Sequence, residues 1–199
     1  MAAGHSVGPE GWQAEVDRLL DRMAGRFTRA GTRRRAGRFV LGLLADLGRK
    51  NCWSIAEYVG DPDPHGMQYL LSRASWDTDG VREDLRDYVT GQLGDTDAVL
   101  VFDETGDLKK GVHTVGVQRQ YTGTAGRIEN AQVAVYLTYA SARGHAMIDR
   151  ELYLPRSWTT APERLAEAGV PDDIEFATKP RSRPACSPAR CAPGCPHDG

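Results

Sequence analysis

The chain has few lysines, four against twenty-one arginines, four phenylalanines, and a single cysteine before position 186. No apolar run approaches the roughly 18–20 residues that a membrane span needs. The longest candidate, residues 39–47, is interrupted by Gly42 and Asp46. The opening residues, MAAGHSVGPEGW, lack the charged and then apolar layout of a secretory signal. Export and membrane insertion are therefore not expected, and the cytoplasm is the default location. With Cys52 standing alone, the first 185 residues offer no disulfide framework. Arginine in place of lysine is the usual mark of a GC-rich gene.

What is present fits one ordinary soluble domain or two small ones: 199 residues, 40% hydrophobic and 26% charged. The net charge of −2 hides an asymmetry. Residues 1–50 carry ten basic and five acidic groups, and residues 51–110 carry five against thirteen. A basic head on an acidic middle suits an anionic partner for the head alone. On composition alone, an ordinary solvated helix face is the commoner explanation.

Apolar residues recur at helical spacing over 11–27, through Trp12, Val16, Leu19, Leu20, Met23 and Phe27. A second helix is expected from about Arg34 to Leu47. Arg26, Arg29, Arg33, Arg34, Arg35 and Arg38 run between and into these helices with no acid interposed. Short helical patterns follow at Cys52–Val59, Gly66–Ala74 and Val81–Leu93. Asp61-Pro62-Asp63-Pro64 breaks them as a turn, and Asp79 is placed to cap the helix begun by Val81. Small helices joined by tight turns suit a DNA-docking module, and equally any helical bundle.

The period changes at Ala98. Ala98–Phe102 is a continuous apolar run, of the kind buried on both faces of a sheet. It ends in Asp103-Glu104-Thr105-Gly106. Gln132–Tyr139 and Ala146–Leu154 read as a hairpin about the turn Ser141–Gly144. Leu108–Thr124 reads as a long loop with one short strand, and Pro162–Ala168 as a helix with Pro162 in its first turn. Trp53, Trp76 and Trp158 are expected to anchor small cores rather than to stack on bases.

After Pro180 the sequence becomes RSRPACSPARCAPGCPHDG, with four prolines, three cysteines and no large apolar residue. It cannot bury a core, and disorder is expected over 179–199. Cys186, Cys191, Cys195 and His197 raise a Cys₃His zinc set, but their spacings match no usual zinc knuckle.

Asp103 is the sharpest candidate for chemistry, a carboxylate held at a strand end. Such an aspartate is more often a turn or cap residue. Glu104 should face the other side of the sheet, and Asp107 should lie in the loop beyond. Lys109, Lys110, Arg119 and Arg127 follow in the glycine-rich stretch beside Tyr121, a combination suited to a nucleic-acid backbone and equally to an ordinary polar loop.

The run VLVFDETGDLKKGVHTVGVQRQYTGTAGRIENAQVAVYLTYAS, followed by IDRELYLPRSWT, resembles the DDE transposases of bacterial insertion sequences, in the DDE superfamily endonuclease group. The resemblance spans roughly residues 10–180 and is strongest from Val99 to Thr159. It implies a mixed α/β fold: a helical, DNA-binding module over 1–95 and the first half of an RNase H-like catalytic domain over 96–178. The implied partners are DNA, both the element's ends and its target, together with self-association. The implied cofactor is Mg²⁺ or Mn²⁺, held in such enzymes by three acids that support phosphodiester hydrolysis and strand transfer.

Of those acids, only Asp103 carries over, as the first catalytic aspartate and a metal ligand. The others should lie beyond Lys179. Asp149 and Glu151 lie upstream of their place and are not assigned. Arg29, Arg33, Arg34, Arg35, Arg38, Lys109, Lys110, Arg119 and Arg127 are the candidate DNA contacts. A frameshift near codon 180 would account for the change of character. The expectation is a chain that is catalytically inactive, does not hold the metal stably, and exposes its first strand. A DNA-binding remnant competing with intact transposase, or a pseudogene product, are the alternatives.

Overall fold

The computed structural model of the chain describes residues 9–171 together with 174, 176 and 178. The expected disorder and the cysteine-rich zinc set of 179–199 lie outside these residues. The described residues form seven α-helices and a four-stranded sheet, a mixed α/β content. They divide into two compact units, one ending at Leu85 and the other beginning at Arg86. No described helix is long and apolar enough to cross a membrane.

The first unit contains α1 (Pro9–Arg22), a 3₁₀ turn (Ala24–Arg26), α2 (Ala30–Leu44), α3 (Cys52–Tyr58), α4 (His65–Ser72) and the start of α5 (Thr78–Leu93). α1 stops short of the Phe27 expected from periodicity. Phe27 instead forms an isolated antiparallel bridge to Trp76 and stacks on its ring, with centroids 5.6 Å apart. Arg26 fixes this corner, Nε and Nη2 donating to the two oxygens of Asp84 at 2.8 and 3.0 Å. That hydrogen bond raises the Arg26 guanidinium above its ordinary value, so it stays cationic.

α3 starts at a full capping box. Asn51 Oδ1 accepts the N–H groups of Trp53 and Ser54 at 2.9 and 3.1 Å, and Ser54 Oγ accepts that of Asn51 at 3.2 Å. α5 is capped by Asp77, not Asp79: Asp77 Oδ1 accepts the Gly80 N–H at 2.8 Å, while Asp79 sits in the first turn and pairs with Arg82. Asp77 precedes the helix and is therefore placed to reach its free N–H groups.

The core of this unit is Ile55, Ala56 and Met67, covered by Phe39, Leu47, Cys52 and Val59. α2 reaches it through Gly42, where an added Cβ would lie 2.5 Å from Ile55 Cγ2. Ile55 is fully enclosed and has nowhere to move. Gly42→Ala is expected to destabilise this unit by about 1–3 kcal/mol through overpacking, despite alanine's better helix propensity. Urea unfolding followed by helical circular dichroism checks this; an unchanged or raised midpoint would show that α2 and α3 can part at no cost.

The second unit is built on β1 (Val99–Leu108), β2 (Gln118–Thr122), β3 (Arg127–Ser141) and β4 (Gly144–Leu152), all antiparallel. The expected hairpin is β3–β4, and β2 is the short strand expected within 108–124. β3 is the central strand. β1 lies along one side, while β2 and then β4 take up the other. Ala131, Val133, Val135, Leu137 and Tyr139 alternate into the core, and Val89 and Leu93 of α5 pack over Leu137, Tyr139 and Ile148. The buried Tyr139 hydroxyl donates to Asp95 O and accepts the Asp95 N–H, fastening the segment before β1. α6 (Arg156–Thr159) and α7 (Pro162–Glu167) close a smaller core of Val117, Trp158 and Leu165.

β1 departs from its sequence reading. It does not end at Phe102 but continues through Asp103, Glu104 and Asp107 to Leu108. An apolar run of this kind is usually buried on both faces, but Val99, Val101 and Phe102 are exposed, which is the exposure expected of this first strand. Among the described residues β1 pairs only with β3, so its other edge is open. Within the run, Ala98 and Leu100 pack against Leu137, Tyr139 and Ile148, while Val99, Val101 and Phe102 stay exposed. Trp53 is a second departure, since it is 68% exposed and anchors no core.

Candidate active-site strand and nucleic-acid surface

Asp103 sits in the middle of β1, opposite Tyr136 of β3, and Tyr136 in turn pairs with Arg150 of β4. These three side chains therefore share one face of the sheet. Glu104 falls opposite Val135 on the other face, as the alternation requires.

The local geometry of Asp103 follows from the ladder. Lys109 donates its N–H to Asn130 O at 2.9 Å. Bonded pairs alternate along an antiparallel ladder, so Asp103, Thr105 and Asp107 face β3 with their N–H groups. The Glu104 N–H then points to the open edge. The Asp103 carboxylate takes it, Oδ1 accepting at 2.8 Å. One oxygen is thus fixed by its own backbone, and the side chain is exposed.

The next acid on this face of β1 is Asp107, four residues along, about 13 Å away in an extended strand. It is tied to Lys109 Nζ. Among the described residues there is no group of three His, Cys, Asp or Glu side chains able to hold a metal ion. A two-metal site places its ions about 3.5–4 Å apart and shares carboxylates between them. The described residues do not fit that set.

Asp149 has a different role from its neighbour in the sequence. A bulge between Leu137 and Thr138 leaves Ile148 unpaired on β4, and both Ile148 and Asp149 become buried. Asp149 Oδ2 accepts Arg86 Nη2 at 2.6 Å, and Oδ1 accepts the Arg150 N–H at 2.8 Å. Glu151 remains exposed. The Arg86 partner leaves no mark in the sequence, because nothing in IDREL signals a bulge.

The basic residues separate into two groups. Arg29, Arg33 and Arg34 on and before α2, Lys110, and Arg119 on β2 are exposed, with no ion pair or side-chain hydrogen bond described. The rest are engaged. Arg38 donates to Asp61 Oδ1 at 2.5 Å and to Val59 O. Arg35 lies against Gly66 at the start of α4. Lys109 pairs with Asp107, and Arg127 Nε with Glu129 at 2.8 Å. The loop that carries Lys109 and Lys110 is held by Asn130 Nδ2, which donates to Lys109 O and Gly111 O at 2.7 and 2.9 Å.

Comparison with known proteins bears on both surfaces. A stretch of 95 residues is 37% identical to a protein of Microchaete diplosiphon described as "Probable transposase for insertion sequence element IS701". That stretch is 48% of this chain and 25% of the relative, so the match spans about a quarter of the relative's length. No solved structure matches. Residues 22–182, containing Asp103 and all of the basic residues above, match the family described as DDE superfamily endonuclease. The chain belongs to the DDE superfamily endonuclease family.

Proposed function

We propose that this polypeptide is the DNA-engaging part of an insertion-sequence transposase, acting in the cytoplasm, and that by itself it binds DNA without cutting it. The observation carrying this reading is the position of Asp103. It stands on an exposed strand with an open edge, one oxygen bonded to Glu104 N, and the nearest acid on its face is bound to a lysine. Enzymes of this superfamily generally use divalent metal ions. When bound, such ions would supply an activated water or 3′-hydroxyl and would neutralise the leaving oxygen. Asp103 would be one ligand, with the remaining acids contributed from outside the described residues.

The chain's own contribution is then to hold DNA. Exposed arginines and Lys110 would neutralise phosphates and displace condensed counterions, so binding should weaken steeply with salt. Bound to an element end, the chain would compete with an intact transposase. The open edge of β1 offers a route to self-association.

The test is a nicking assay with Mg²⁺ and with Mn²⁺ on duplex DNA copied from the element's end, beside a gel shift at low salt. A retarded complex with no cleavage is expected. Metal-dependent cleavage that Asp103→Ala abolishes would overturn the inactivity, and absence of any complex would overturn the DNA-binding reading.

A further inference from the structure

We infer that the outward face of the β2–β3 hairpin is a stacking site for an unpaired base of single-stranded DNA, an inference that rests on the DNA-binding reading above and names the class of DNA this part of the sheet takes. Tyr121 and Ile128 form the platform, and Arg119 and Lys110 meet the flanking phosphates.

The register sorts the hairpin into two faces. Gln118, Gln120 and Thr122 lie opposite Ala131, Glu129 and Arg127, on the side of β3 that carries the core. Thr122 is buried against Gly106 of β1, where an added Cβ would collide with its hydroxyl. Gln120 Nε2 donates to Ala131 O at 2.8 Å, and Ser157 Oγ donates to Gln118 Oε1 at 2.8 Å. The hairpin is thus fastened from behind. Its other face carries Arg119 opposite Asn130 and Tyr121 opposite Ile128.

Tyr121 and Ile128 are 62% and 58% exposed. Directly opposed side chains of an antiparallel pair stand about 4.5–5.5 Å apart at Cβ. The ring and the branched aliphatic therefore make one apolar patch turned to solvent on a rigid ribbon. Charge around the patch has one sign. Arg119 is exposed and two residues from Tyr121, about 7 Å along the strand. Asn130 Nδ2 donates to Lys109 O and Gly111 O, which sets the exposed Lys110 at the same end. The hairpin's acid, Glu129, lies on the opposite face and is paired with Arg127.

These features select a polynucleotide over a protein surface. A protein docking on the patch would have to supply an acid for each cation, whereas a nucleic acid carries one phosphate with every base. They also select a single strand over a duplex. A paired base hides its flat faces in the stack, and only an unpaired one can lay a face on an aromatic ring. An aromatic platform beside a basic track holds single strands with little regard to sequence, because every base has such a face.

The test uses the full chain and fluorescence anisotropy with a short labelled strand of mixed sequence, alone and annealed to its complement. Tyr121→Ala is expected to weaken binding to the single strand roughly tenfold, the scale of one stacked base, and to leave duplex binding unchanged. Tyr121→Phe keeps the ring and should keep the affinity, and Ile128→Ser should fall between the two. Arg119→Ala should flatten the single-strand salt slope by about 0.7, for one phosphate no longer neutralised. All four changes are at exposed positions, so circular dichroism should be unaltered. If Tyr121→Ala holds the single strand as the unaltered chain does, or weakens strand and duplex alike, the stacking site is refuted and DNA binding stands. Binding of the duplex without the single strand refutes it equally. If sedimentation shows the unaltered chain self-associating and Tyr121→Ala monomeric, with single-strand affinity unchanged, the patch is a contact between copies and not a base platform. If the unaltered chain binds neither form at low salt, the DNA-binding reading fails and this inference with it.

Discussion

Replacing Asp149 with alanine is expected to destabilise the sheet unit by about 3–5 kcal/mol, the cost of leaving a buried charge without its partner. Arg86 and Asp149 are both enclosed, with side chains 11% and 4% exposed. Arg86 Nε is already buried with no hydrogen-bond partner, so the guanidinium depends on the bond from Nη2 to Asp149. Without the carboxylate, the cation must stay dry and unpaired or tear its segment of α5 away from β4. The Arg150 N–H would also be left without its acceptor.

Removing both charges should have the opposite effect. Arg86→Met with Asp149→Leu is expected to recover most of the stability, because a buried ion pair seldom outperforms an apolar pair of similar volume. The measurement is hydrogen exchange at the β3 amides across a urea series, which reports on this unit separately from the helical one. Equal losses in the single and double variants would show that the site is held by packing and not by charge balance. Full stability of Asp149→Ala would show that Arg86 escapes to water freely.

The legible parts of the fold are those where one local rule decides. β3 alternates without interruption from Ala131 to Tyr139, so its buried face follows from the period alone. The turn at Asp61–Pro64 and the helix opened by Pro162 follow from proline's fixed backbone. The illegible parts depend on what lies across from a residue. The length of β1 is one of these: the apolar run stops at Phe102, but the strand runs on to Leu108 because β3 offers it partners as far as Ala131.

The same limit applies to the candidate site. Six arginines between 26 and 38 look alike in sequence. Arg26 is committed to Asp84, 58 residues away, and Arg38 to Asp61, while Arg29, Arg33 and Arg34 stay exposed.

Trp158→Ala is expected to cost about 3–5 kcal/mol, the range for emptying an enclosed aromatic site. It should act first as local unfolding of α6 and α7. Trp158 is 1% exposed and fills the core with Val117 and Leu165. Its Nε1–H donates to Val117 O at 2.9 Å, and the Arg164 guanidinium stands 3.6 Å above its ring. α6 and α7 have four and six residues and no side-chain N-caps. Helices this short do not persist by propensity, so the indole is what holds them. Arg164 also donates to Val112 O at 2.6 Å, which ties the far end of the loop carrying Lys109 and Lys110. Loss of the indole should therefore reach the cationic loop as well as the small core. Trp158→Phe keeps most of the packing but orphans the Val117 carbonyl, and about 1–3 kcal/mol is expected. Amide exchange at Leu165 and Val170 should accelerate in proportion, and more in Ala than in Phe. Exchange at those amides that matches the unaltered chain would mean that α6 and α7 are held by something other than Trp158.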